Sequence, residues 1–163
     1  MIAVRRAGRD DIDAVREVGL KTWPAAYAGI VSPEFIVDGL AQWWSVEAVE
    51  RGIANGITLI AEDEDEDADE DRAVGMVGLG QEEGFWVMWK LYVLPEYQAR
   101  GVGKALLDAA IEALPEDANE LLLDVLVGNA KAIGFYRKNG FGPAQRKPSR
   151  DLGADLMWMS LDL

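Results

Sequence analysis

The segment LYVLPEYQARGVGKALLDAAIE, Leu91 to Glu112, places an apolar strand, a short polar loop and a helix opening on Gly101-Val102-Gly103 in immediate succession. That order confines the chain to folds in which a strand end faces a helix N-terminus. Glycines there let backbone N–H groups close on a bound anion, and the helix dipole adds a favourable partial charge. The spacing predicts a phosphate site. A nucleoside-triphosphate loop, G-x-x-x-x-G-K-[ST], needs glycine where Gln98 stands and a hydroxyl where Ala105 stands. A dinucleotide fingerprint, G-x-G-x-x-G, needs glycine at Leu106 and a first βαβ unit before it, whereas this loop sits in mid-chain. Both fail, and Q-x-x-G-x-G followed by an amphipathic helix remains.

That motif resembles the pyrophosphate loop, [QR]-x-x-G-x-[GA], of the GNAT superfamily of acyl-CoA-dependent N-acetyltransferases. The matching residues are Gln98, Ala99, Arg100, Gly101, Val102 and Gly103, with Lys104 following. A second segment, LLLDVLVGNAKAIGFYRKNGF from Leu121 to Phe141, resembles the family's next motif: a strand, then N-x-x-A-x-x-x-Y with Asn129, Ala132 and Tyr136 in register, then a Lys-Asn-Gly-Phe helix exit. In KTWPAAYAGI, Trp23, Tyr27 and Gly29-Ile30 are similar to the first-helix segment of many members. The likeness spans most of the chain, and the acidic run Glu62 to Asp71 is its main departure.

The length of 163 residues, half of them apolar, suits one domain over 1–163 with a sizeable core. No apolar run approaches the roughly 18 to 20 residues of a membrane helix, and MIAVRRAGRDD lacks the apolar core of a signal peptide, so a cytoplasmic location and no membrane partner are expected. Cysteine and histidine are both absent, which removes thiolate catalysis and the commonest metal ligands; no metal is expected, and proton transfer falls to carboxylates, tyrosine, lysine, substrate or water. The run EDEDEDADED does not make a calcium loop, because an EF-hand starting at Asp63 needs glycine at Ala68 and glutamate at Val74. A solvated loop at 62–71 is expected instead.

The formal charge is −13. A nucleic-acid partner is not expected, since binding to phosphate backbones depends on clustered positive charge. From Val125 to Arg150 there is no acid, while Lys131, Arg137, Lys138, Arg146, Lys147 and Arg150 contribute +6, leaving −19 elsewhere. That asymmetry suits an anionic cofactor, though for any one of the six a solvated surface charge is the better reading. The acid-rich, lysine-poor composition also suggests adaptation to high salt.

Periodicity predicts the order βααα-βββ-α-β-α-ββ and hence an α/β mixed sheet of about seven strands with helices on both faces. Ile2 to Arg6 reads as a strand, Asp10 as a cap for a helix to Tyr27, and Ser32-Pro33 and Ser45 as further helix starts. Gly56 is expected to close the third helix in left-handed geometry. Strands are expected at Ile57 to Ala61, Ala73 to Leu79, Phe85 to Leu94 and Leu121 to Val127, with two more around a turn near Ser149 to Gly153.

The resemblance implies an enzyme that moves an acetyl group from acetyl-CoA to an amine acceptor, as a monomer or homodimer. It implies that Leu91, Tyr92 and Val93 offer backbone hydrogen bonds to the pantetheine arm, that the loop from Gln98 to Lys104 holds the pyrophosphate, and that Asn129 caps a helix and touches the arm. Tyr136 stands where many members carry the tyrosine that protonates the leaving thiolate; as a phenol of pKa about 10 facing a thiol of about 8.5, it needs help from its surroundings. A general base is left open. Asp124, a lone carboxylate in an apolar strand, stands twelve residues before the tyrosine, where some members carry a glutamate. Glu82 and Glu83, before the strand bearing Leu91, are the alternatives. Trp23, Tyr27, Trp43 and Trp44 are expected to border the acceptor. The acceptor itself, whether protein N-terminus, lysine or small amine, is not legible. A non-catalytic acyl-CoA-binding sensor on the same fold remains the alternative.

Overall fold

Alternation and capping together give the architecture of the computed structural model, which describes residues 1–64, 72–144 and 155–163. The acidic run from residue 65 onward, the turn expected near Ser149 to Gly153, and Arg146, Lys147 and Arg150 lie outside the described residues. The strands are β1 (Ile2–Arg6), β2 (Ile57–Asp63), β3 (Arg72–Glu82), β4 (Phe85–Val93), β5 (Glu120–Leu126), β6 (Gly142–Ala144) and β7 (Leu156–Asp162). They form one sheet of order β1-β2-β3-β4-β5-β7-β6, in which only β4 and β5 run parallel. Helices α1 (Ile12–Tyr27), α2 (Pro33–Trp43) and α3 (Val46–Asn55) precede β2, α4 (Val102–Ala113) joins β4 to β5, and α5 (Ala130–Lys138) follows β5. The expected order of elements is the observed one. No helix among the described residues is long and apolar enough to cross a membrane.

Alternate strand residues feed the cores on the two faces of the sheet. Leu59, Ala61, Val77 and Leu79 pack with Leu106, Leu107 and Ala110 of α4 and Ile133 of α5 on one face. Ile60 and Met76 point the other way, to Val15, Val18 and Trp23 of α1, to Trp44, and to Val49 of α3. Burial of each large aliphatic side chain contributes about 2 kcal/mol. Three caps fix the helix starts: Ser32 Oγ accepts the Phe35 N–H at 3.1 Å, Ser45 Oγ that of Ala48 at 3.1 Å, and Asn129 Oδ1 that of Ala132 at 3.3 Å. Each satisfies an amide that the helix itself leaves unpaired.

Two expected caps differ. A 3-10 turn over Arg9–Asp11 precedes α1, so Asp11, not Asp10, stands at its start; the Asp11 carboxylate turns back to the Gly8 N–H at 2.7 Å and to the Arg5 guanidinium. Gly56 is not left-handed, with φ −118°. It is required by close approach: a Cβ there would stand 2.3 Å from the Leu79 carbonyl oxygen, where β2 begins to pair with β3.

Candidate active site

Between β3 and β4, Gly78 faces Lys90 but Leu79 faces Met88, so Trp89 is an extra residue on β4. Such a bulge bends and twists its strand. β4 pairs with β5 only at Trp86 with Leu121 and Val87 with Leu122. Beyond that point the strands part, and a cleft of about 1800 Å³ opens between Leu91, Tyr92 and Val93 on one side and Asp124, Val125 and Leu126 on the other. Leu91 to Val93 pair with β3 through one edge, and their other edge faces the gap. An extended ligand arm can add to such an edge as a further strand.

The loop at the gap's end has a backbone geometry that could take an anion. Ala99 and Gly101 both have positive φ, 64° and 79°, on either side of Arg100. Alternating backbone of this kind turns successive N–H groups into one concavity. Val102, Gly103 and Lys104 add the first-turn amides of α4, which no intrahelical carbonyl can take up. Gln98 braces the loop: its Nε2 donates to the Val93 carbonyl at 3.2 Å, and Lys131 Nζ of α5 donates to its Oε1. Arg100 lies over the Tyr97 ring at 4.9 Å, and Lys104 pairs with Asp108 at 2.8 Å.

Tyr136, on α5, and Asp124, on β5, both line the cleft. Asp124 faces Trp158 of β7 in the sheet, on the face covered by α1 to α3, whereas Tyr136 belongs to the α4–α5 side. Both border the gap. Burial holds the Tyr136 phenol well above its ordinary pKa, and the neighbouring Tyr27 and Asp124 raise it further. It therefore stays protonated, and its surroundings strengthen its hold on the proton where the expected donor role called for a weaker one. Tyr27 also shares a 2.8 Å hydroxyl–hydroxyl hydrogen bond with Tyr92, whose pKa burial pushes well up. Asn129, as cap of α5, lines the same cleft. Trp23, Tyr27 and Trp43 line it from α1 and α2, while Trp44 is fully buried behind them.

Glu82 is not brought to the cleft. It ends β3 opposite Phe85, and the hairpin between them turns through Glu83 and Gly84, both at positive φ as a two-residue turn requires. Leu91 is six residues further along β4 than Phe85, about 20 Å at ~3.3 Å per residue. Glu82 and Glu83 thus serve the far end of the hairpin.

Lys90 was not among the expected site residues. Its Nζ donates to the Trp43 carbonyl at 2.6 Å, at the C-terminus of α2, and stands 4.0 Å from the centre of the Trp44 ring. Burial lowers its pKa from 10.5 to about 8. A lone lysine in FWVMWKLYV is the same signal as a lone aspartate in LLLDVL. Among the described residues, no group of three or more His, Cys, Asp or Glu side chains is arranged to hold a metal.

Residues 21–141 match the profile of the Acetyltransferase (GNAT) family. The chain is 27% identical over 146 residues to a spermidine N(1)-acetyltransferase of Thermoplasma acidophilum, covering 86% of this chain and 88% of the relative. It is 34% identical over 85 residues to the peptidyl-lysine N-acetyltransferase YjaB of Salmonella typhimurium, covering 52% and 53%. Its fold superposes on the crystal structure of PaiA N-acetyltransferase from Thermoplasma acidophilum in complex with coenzyme A, with a TM-score of 0.84 and 26% identity over 100% of this chain and 99% of that one. The ribosomal-protein-S18-alanine N-acetyltransferase of Escherichia coli shares the fold at a TM-score of 0.72 and 19% identity over 99% and 94%.

Proposed function

The chain belongs to the acetyltransferase (GNAT) family, and on that premise we propose that it moves an acetyl group from acetyl-CoA to a primary amine by direct attack in a ternary complex. The observation that carries this reading is the gap between β4 and β5, open beside a left-handed loop at a helix N-terminus. Pantetheine lies along Leu91 to Val93, and the pyrophosphate sits on the amides from Ala99 to Lys104. A main-chain N–H near Leu91 polarises the thioester carbonyl, so that the oxyanion forms against a fixed dipole.

The amine enters as ammonium and must lose one proton before it attacks; Asp124, directly or through water, is the acceptor of that proton. Nitrogen then bonds to the thioester carbon, the C–S bond breaks, and the second nitrogen proton passes, directly or through water, to the departing thiolate. Tyr136, protonated throughout, donates a hydrogen bond to the departing sulfur. CoA-SH and the amide are the products. The acceptors named for the relatives are spermidine, peptidyl-lysine and a ribosomal-protein alanine.

Tyr136→Phe tests the assignment. Acetyl-CoA-dependent thiol release should fall about 10- to 100-fold, the range for loss of a hydrogen bond to a charged group, with calorimetric affinity for acetyl-CoA nearly unchanged. Unchanged turnover would remove Tyr136 from the chemistry. Binding of acetyl-CoA by the unaltered protein without release to any amine would favour a sensor.

A further inference from the structure

Although the protein carries a net charge of −13, the charged side chains lining its cleft are, among the described residues, Arg51, Lys90, Lys104, Lys131, Lys138 and only one carboxylate, Asp124. Lys104, Lys131 and Lys138 lie on α4 and α5, the side of the phosphate loop. They suit the cofactor. Asp124 and Lys90 lie on the opposite face, under α1 to α3, and Arg51 lies on α3 itself, where the second substrate must enter. The remaining wall there is uncharged: Tyr27, Phe35 and Trp43, with Ile30 at the rim, beside the neutral polar side chains of Gln42 and Asn55.

We infer that the acceptor is a monoamine carried on an apolar or aromatic body, and not a polyamine. This rests on the acetyl-transfer reading above. Asp124 receives the one ammonium that will react, and the body packs on the aromatic wall. A second ammonium finds no described carboxylate in the cleft and meets two cationic side chains. Desolvating a charge without a partner is unfavourable, and like charges at close range add to the cost.

The test compares 2-phenylethylamine, L-leucinamide and spermidine as acceptors at saturating acetyl-CoA and one ionic strength, read as thiol release. At least one monoamine should exceed spermidine in kcat/KM by about tenfold, the ratio that corresponds to roughly 1.4 kcal/mol. Lys90→Met should raise the spermidine value relative to the monoamines. Spermidine equal to or better than both monoamines overturns the inference and leaves acetyl transfer standing. Release with none of the three, despite calorimetric binding of acetyl-CoA, overturns the inference, and if lysine and alanine peptides give none either the acetyl-transfer reading falls with it.

Discussion

Replacing Lys90 with methionine gives a pH signature whose sign follows from burial alone. The side chain is unbranched in both residues, and methionine is apolar enough for a site beside Trp44. In the folded protein the Lys90 ammonium titrates at about 8, against 10.5 when unfolded. At about 1.4 kcal/mol per tenfold change, the charged form is disfavoured by about 3 kcal/mol. Below pH 8 both states are protonated and the fold carries that cost in full. Between 8 and 10.5 the unfolded chain binds the proton while the folded one does not, so stability rises with pH. Above 10.5 both are neutral and the cost is gone. The native protein should therefore gain about 2.5 kcal/mol on Lys90→Met between pH 7 and pH 10. Urea unfolding of both proteins at several pH values in that interval measures it, since every other titration is common to the two. Parallel curves would refute the reasoning: they would mean that the hydrogen bond to Trp43 and the Trp44 ring offset desolvation and leave the pKa at its ordinary value.

Gly101→Ala should cost about 1 kcal/mol of stability from the left-handed backbone alone, because the added Cβ meets nothing within 4 Å; calorimetry should show a larger proportional loss in acetyl-CoA affinity, and equal affinity would separate the loop from the phosphates. Gly56→Ala should cost about 3 kcal/mol by urea unfolding, since its Cβ collides with the Leu79 carbonyl at an unstrained φ. Thermal unfolding should move upward between low and molar KCl if screening relieves the repulsion within a chain of charge −13, and an unchanged midpoint would argue against salt adaptation.

What the sequence disclosed was local. The serine caps, the stripe Leu106, Leu107 and Ala110, and the phosphate-loop glycines all speak within one or two helical turns, so their structure follows from neighbours in the chain. What it withheld depends on pairing. Gly56 looks like a helix terminator, and only the approach of β3 shows that it is there for Leu79. Glu82 stands close to Leu91 in sequence, yet it ends β3 at the hairpin turn while Leu91 lies six residues along β4 from that turn's far side. Tyr27 and Tyr92, sixty-five residues apart, share a hydrogen bond that no periodicity announces.

The bulge at Trp89 shows how far a pairing detail reaches. Before it, Trp86 and Met88 face the α4–α5 core while Val87 faces the other way. A strand in strict alternation would then send Lys90 and Tyr92 to the α4–α5 side as well. One inserted residue reverses the parity: Leu91 and Val93 join Met88 in that core, and Tyr92 crosses to Trp23 and Trp44. The same residue bends β4 away from β5 just past their last paired position, opening the cleft. Thus the hydroxyl of Tyr92, which anchors Tyr27, the ammonium of Lys90 beneath α2, and the free backbone edge at Leu91 share one origin. Because β4 is apolar on both faces, its sequence reads equally well in either register, and the decision lies with β3, whose Gly78 and Leu79 admit the extra residue between their partners.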